Sequence, residues 1–175
     1  LESTETSGVG GTMDSASTTF NLGDAAADKQ YRAILHFSTA SLPDTAVITK
    51  VTLKIRQSGA PVGSNPFTIL NALKVDIRNP YFGGSGALAN EDFNATASQS
   101  AIGTIPNTPV SNWYTKIWTS GAFFAYINTT GVTQFRLYFA KGDNDDNAAD
   151  YMKFISGDHA TASARPTLII EYYVP

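Results

Sequence analysis

Apolar and polar residues alternate along much of this chain with a period of two, the spacing that puts each set on one face of a pleated strand. The clearest stretch is Gln30 to Arg56. Tyr31, Ala33, Leu35 and Phe37 alternate with Arg32, Ile34 and His36, and Val51, Leu53 and Ile55 alternate with Lys50, Thr52, Lys54 and Arg56. Between them, Ser41-Leu42-Pro43-Asp44 has turn chemistry: Pro fixes φ, while Ser and Asp side chains bond to nearby backbone. The pattern predicts two strands, each with one face toward a core, and Leu42 tucked beneath the turn.

The same periodicity predicts further strands. Thr18, Phe20 and Leu22 form one apolar set, and Glu2 to Thr6 reads as a short edge strand. Gln57 to Phe67 is a Gly- and Pro-marked loop. Leu73, Val75 and Ile77 follow, with Lys74, Asp76 and Arg78 expected outward and a stop at Asn79-Pro80. Ile102 to Pro109 reads as an edge strand broken by its prolines. Trp113 and Trp118 have opposite parity on an aromatic strand, so one is expected in the core and the other exposed. Phe135, Leu137 and Phe139 point inward, with Arg136 and Tyr138 outward. Tyr151 to Ile155 and Thr167 to Tyr173 complete the set. Glu91 to Ala97, capped by Asn90, and Ser120 to Asn128 are expected as short helical turns. Roughly eight to ten short strands without an internal repeat predict an all-β fold, an antiparallel β-sandwich or jelly roll with one or two short helical turns. A single domain over residues 1–175 is expected, as the C-terminal module of a larger secreted protein.

Composition narrows the functional classes. Charged residues make up 15% of the chain, against an average of about 25%, so Ser, Thr, Asn and Gly supply much of the surface polarity, as suits a secreted or cell-surface β-protein. The net charge of −3 argues against a nucleic-acid partner. No apolar run is long enough to span a bilayer, so membrane insertion is not expected. Cysteine is absent, which removes disulfides, thiolate-bound zinc and a Cys nucleophile.

The order Phe20-Asn21-Leu22-Gly23, Tyr31 to Phe37, Ser41-Leu42-Pro43 and Ile48 to Ile55 resembles the front half of a DNRLRE-type domain. Tyr151-Met152-Lys153-Phe154-Ile155-Ser156 and Arg165-Pro166-Thr167-Leu168-Ile169-Ile170-Glu171-Tyr172 resemble its back half. The resemblance implies a secreted or surface β-sandwich module of a group partly classed among carbohydrate-binding modules and commonly appended to extracellular enzymes. The chain departs from the family pattern at Ser156-Gly157-Asp158 and in the longer stretch from Gly59 to Val110. The resemblance covers mainly strand and turn residues, which define a scaffold.

Two sets of side chains carry candidate chemistry. Sugar rings stack their C–H faces on flat aromatic side chains while polar neighbours bind hydroxyls. Trp113, Tyr114, Trp118, Tyr81 and Phe82 are the aromatic candidates, with Arg136 as a polar partner; aromatic residues of a sandwich are also its usual core. The loop Lys141 to Asp150 carries Asp143, Asp145, Asp146 and Asp150, oxygen ligands of the kind Ca²⁺ takes. Asp143, Asp145 and Asn147 match the opening of an EF-hand loop, but Ala148 and Phe154 stand where its Gly and bidentate Glu belong, so that motif is rejected. A different calcium site would recruit Asp24 or Asp28; an ordinary Asp/Asn-rich turn is the alternative. His36 and His159 are far apart, and no nucleophile elbow, phosphate loop or His-Glu-x-x-His is present. The expected function is therefore a non-catalytic extracellular module that binds a polysaccharide or surface glycan, with calcium as the candidate cofactor. The alternative is a structural or adhesive domain whose partners are neighbouring surface proteins or copies of itself.

Overall fold

The computed structural model describes residues 1–175. Its strands are β1 (Thr19–Ala25), β2 (Lys29–Tyr31), β3 (Ala33–Ser38), β4 (Val47–Arg56), β5 (Leu73–Arg78), β6 (Gln99–Ile105), β7 (Trp113–Trp118), β8 (Val132–Phe139), β9 (Asp150–Ile155) and β10 (Thr167–Tyr173). All pairings are antiparallel. One layer is the four-stranded sheet β3-β8-β5-β6, and the other comprises β2-β1-β9 and β10-β4-β7. These two three-stranded units are stitched where the chain leaves β4: Gln57 bridges Phe154, and the Ser58 N–H donates to the Lys153 carbonyl (2.8 Å). The protein is an all-β sandwich, as the alternation predicts.

Residues of both layers meet in a continuous apolar core. Leu73, Val75 and Ile77 of β5 interdigitate with Phe135, Leu137 and Phe139 of β8 on one side, and Val51, Leu53 and Ile55 of β4 close it from the other. All of these side chains are fully buried. β3 pairs with β8 while β4 pairs with β7 and β10, so the Ser41–Asp44 turn carries the chain between layers, and Leu42 packs partly buried against the core. Trp118 seals the β6/β7 side. Its Nε1–H donates to the Ile102 carbonyl (2.8 Å), and its ring packs edge-on against Phe123 at 5.2 Å.

Several local expectations are corrected. Glu2 to Thr6 form no strand: Glu2 makes one bridge, to Gly10. The Glu2 N–H donates to the Gln30 carbonyl (3.0 Å), and its carboxylate accepts from the N–H groups of Gly8 (2.7 Å) and Gln30 (3.2 Å). The N-terminal segment is thereby folded onto β2. Asn90 is the first residue of a 3₁₀ turn (Asn90–Phe93) instead of its cap; the free Ala89 N–H donates to Asp92 Oδ2 (2.8 Å). The short helical turn expected within Ser120 to Asn128 is present, as a 3₁₀ turn over Ala122–Tyr126. The only α-helix, α1 (Pro66–Ile69), begins at the end of the expected Gln57–Phe67 loop and runs two residues past it. Asn65 Oδ1 accepts the Phe67 N–H (3.0 Å), and Pro66 sits in the first turn, where a missing N–H costs nothing.

Leu53→Ala removes methyl groups from a site closed by both layers, and the expected cost is about 2–5 kcal/mol. Ile169→Ala, on the exposed side of β10, is expected to change stability by less than about 0.5 kcal/mol. Urea unfolding of the two variants checks the contrast.

Candidate functional site: an edge groove and an acidic end

β3 bonds to β8 along one edge and has no strand on the other. A groove of about 1150 Å³ runs along that free edge. Its walls come from the N-terminal segment, the 86–93 loop, β1 and β9, and the turn after β9. Parity decides what it displays. Phe20, Leu22, Met152 and Phe154 face the core, so the intervening Asn21, Tyr151 and Lys153 face outward, beside Tyr31 across from Gly23. Tyr31 and Tyr151 meet edge to face at 5.4 Å, and Lys153 is exposed. Arg165, whose Nε–H donates to the His159 carbonyl (2.7 Å), closes one end.

The wall at residues 86–93 is held by two arginines. Arg136 forms a buried ion pair with Asp76 (Nη2 to Oδ2, 2.7 Å), with both side chains at most 6% exposed. Its Nη1 donates to the carbonyls of Ala95 (2.8 Å) and Asp92 (3.1 Å), and its guanidinium lies 4.5 Å from the centre of the Phe82 ring. Asp76 Oδ1 accepts from the Tyr138 hydroxyl (3.1 Å) and the Ala101 N–H (2.8 Å). Arg32 donates to the Phe93 carbonyl (2.7 Å) while stacking on Phe93 at 4.2 Å. Gln134 completes the seam by accepting the Phe82 N–H (2.8 Å). Burial pushes the Tyr138 hydroxyl up from its ordinary pKa, reinforced by Asp76. Asp76 and Arg136 are expected outward; they are buried because the segment between β5 and β6 folds over their face of the sheet.

Most of the aromatic candidates lie elsewhere. Tyr114 is in the core, stacked on Phe67 at 5.4 Å, with its hydroxyl donating to Gln57 (3.2 Å). Trp118 and Phe82 are also buried. Tyr114, Trp118 and Phe82 thus lie packed inside the fold, away from the groove, while Arg136, bonded to its own partners, is buried in the groove wall. Trp113 has the opposite parity, as expected, and is half-buried on the outer side of the β10-β4-β7 unit, outside the groove, with Lys54 4.7 Å from its ring centre. Tyr81 is half-buried near Gly86, at the margin of the groove. Residue type alone does not mark Tyr31, Tyr151, Asn21 and Lys153 as ligand contacts. The parity that puts Phe20 and Phe154 inside nevertheless places them together outside.

The acidic residues gather at one end of the sandwich. β1 and β9 carry Asp24 and Asp150 there, directly opposite each other and on the core side of their strands. Both are buried. Asp150 Oδ1 accepts the Ser64 N–H, and the Asn144 amide nitrogen donates to Asp150 Oδ2 (3.1 Å) and Asp146 Oδ2 (2.9 Å). Gly23 and Gly63 pack so closely that a Cβ on either would overlap Asp150 backbone or carboxylate oxygen. Burial, then the charge of Asp150, push the Asp24 carboxyl up to about 7. The Asp28 carboxylate accepts the Asn147 N–H (2.9 Å), which pins the loop. Asp143 and Asp145 diverge from the group and lie with Glu5, their carboxylate oxygens within 4.8 Å of one another. Lys141 stands 3.9 Å from Asp145 there. Burial, then Asp145 and Asp28, raise the Asp143 pKa.

No family model matches this chain, and no curated protein matches it. No helix is long and apolar enough to cross a membrane.

Arg136→Ala strands Asp76 without its cation and is expected to cost about 3–5 kcal/mol in urea unfolding. Chymotryptic cleavage in the segment from Phe82 to Ala97, which holds Phe82, Leu88 and Phe93, should accelerate along with it. A second prediction concerns pH. In chelator-treated protein, folded Asp24 retains a proton that the unfolded chain releases, so its contribution to stability is greatest below about pH 4 and falls as pH rises toward 7. Asp24→Asn should flatten that fall in melting temperature across the same window.

Proposed function

We propose that this chain is a non-catalytic extracellular binding module that holds a polysaccharide or surface glycan in the groove along β3. The observation that carries the reading is the outward pair Tyr31 and Tyr151, meeting at 5.4 Å inside a concave groove with Lys153 and Asn21 beside it. Aromatic faces take the C–H faces of sugar rings, and Lys, Asn and Arg groups bond to hydroxyls at the sides. The cross-strand setting on β1, β2 and β9 supports a rigid platform, which limits the ordering cost on binding. The resemblance of Phe20 to Phe37 and Tyr151 to Tyr172 to a DNRLRE-type domain supports the same class of function and a secreted or cell-surface location.

A structural or adhesive role is the second reading, and the unpaired edge of β3 favours it. Such an edge offers backbone donors and acceptors to an added strand from a surface protein or another copy of this chain.

A soluble-glycan array followed by titration of the best ligand separates the two readings. Glycan binding predicts a signal that falls at least about tenfold in Tyr31→Ala and Tyr151→Ala, the equivalent of about 1.4 kcal/mol, and is unchanged in Trp113→Ala. Silence across the array, together with concentration-dependent association in sedimentation, would favour strand addition. Loss of glycan binding only in Trp113→Ala would move the ligand to the β10-β4-β7 unit.

A further inference from the structure

We propose that Asp24, Asp146 and Asp150, with Asn144, form a calcium-binding site at the acidic end of the sandwich, separate from the glycan groove. Three observations converge on it. Asp24 and Asp150 are direct cross-strand partners on the buried face of β1 and β9, where like charges repel each other. Both carboxylate oxygens of Asp24, a fully buried residue, have no hydrogen-bond partner. The Asn144 carbonyl oxygen is buried without a partner as well.

A buried, unpartnered carboxylate costs far more than an exposed one unless a counter-charge meets it. The protein supplies no Lys or Arg here: the three ion pairs lie at Lys50–Glu171, Arg136–Asp76 and Lys141–Asp145. The donors that remain are all oxygens. Both Asp24 oxygens are free, and Asp146 Oδ2 and Asp150 Oδ2 bond only to the Asn144 amide nitrogen. Turning that amide exchanges its nitrogen for its unpartnered oxygen, two orientations that are nearly isosteric. Carboxylate and amide oxygens on a loop, with water completing the shell, match the flexible coordination of Ca²⁺ better than the strict octahedron of Mg²⁺. The neighbouring Glu5, Asp143 and Asp145 cluster has none of these signs. Two of its members are exposed, and Lys141 already balances part of its charge.

Thermal unfolding after chelation, with and without added Ca²⁺, tests the site alongside calorimetric titration. Calcium at a hundredfold above its Kd should raise the melting temperature by about 5–10 °C. Asp24→Asn should fold without calcium and lose the shift. Asp146→Asn, on the exposed rim, should keep the fold and weaken calcium binding at least about tenfold, which keeps the test decisive if the Asp24 variant fails to fold. The paired Glu5→Gln and Asp145→Asn variant should retain the full shift. No heat and no shift at millimolar calcium would overturn the proposal and leave Asp24 as a protonated acid. A shift that survives in Asp146→Asn but disappears in the Glu5 and Asp145 variant would overturn it equally, by placing the ion in the other cluster. Neither result depends on whether a glycan binds.

Discussion

The Arg136–Asp76 ion pair is the constraint on which the shape of this sandwich depends. A charged pair at the centre of a sheet face is costly to desolvate, and its net contribution to stability is small unless every remaining donor and acceptor is satisfied. Here they are satisfied mainly from the chain that follows β5: Arg136 holds the carbonyls of Asp92 and Ala95, and Asp76 accepts from the Ala101 N–H on β6 and from the Tyr138 hydroxyl on β8. The pair therefore specifies where the segment between β5 and β6 lies. That placement buries the outer face of β8 and raises one wall of the groove beside β3.

The strands themselves were legible because each has one face against apolar neighbours and because a period of two leaves no ambiguity over which residues share it. Leu73, Val75 and Ile77 turn inward together, as do Phe135, Leu137 and Phe139. The opposite faces of Trp113 and Trp118 also followed from parity. The alternation carried a hidden assumption, that the second face of each strand meets water. It fails for Asp76, Gln134 and Arg136, since a covering loop is a long-range contact and leaves no local periodic mark. Strand order was likewise beyond local pattern: β3 and β4 are adjacent in sequence and lie in different layers.

For the candidate sites, residue type was a weaker guide than parity. Tyr114, Trp118 and Arg136 have ligand-like side chains whose polar atoms are already bonded within the fold. Tyr31 and Tyr151 belong to no local aromatic cluster in the sequence, yet they project from different strands to the same outer face. The acidic loop shows the reverse. Its wealth of carboxylates names Asp143, Asp145, Asp146 and Asp150 alike by composition, while only strand pairing shows that Asp24 and Asp150 lie opposite each other, extending the inward parities of Leu22 and Met152. Asp150 and Tyr151 are consecutive, so the start of β9 serves the acidic end with one face and the groove with the other.

The most direct measurement is amide chemical-shift mapping of the isotopically labelled chain during titration with a glycan selected for binding. Shifts concentrated on Asn21, Tyr31, Tyr151 and Lys153, with Trp113 and its neighbours unmoved, are the predicted result. Shifts centred on Trp113, Lys54 and Arg56 would contradict it and put the binding face on the β10-β4-β7 unit.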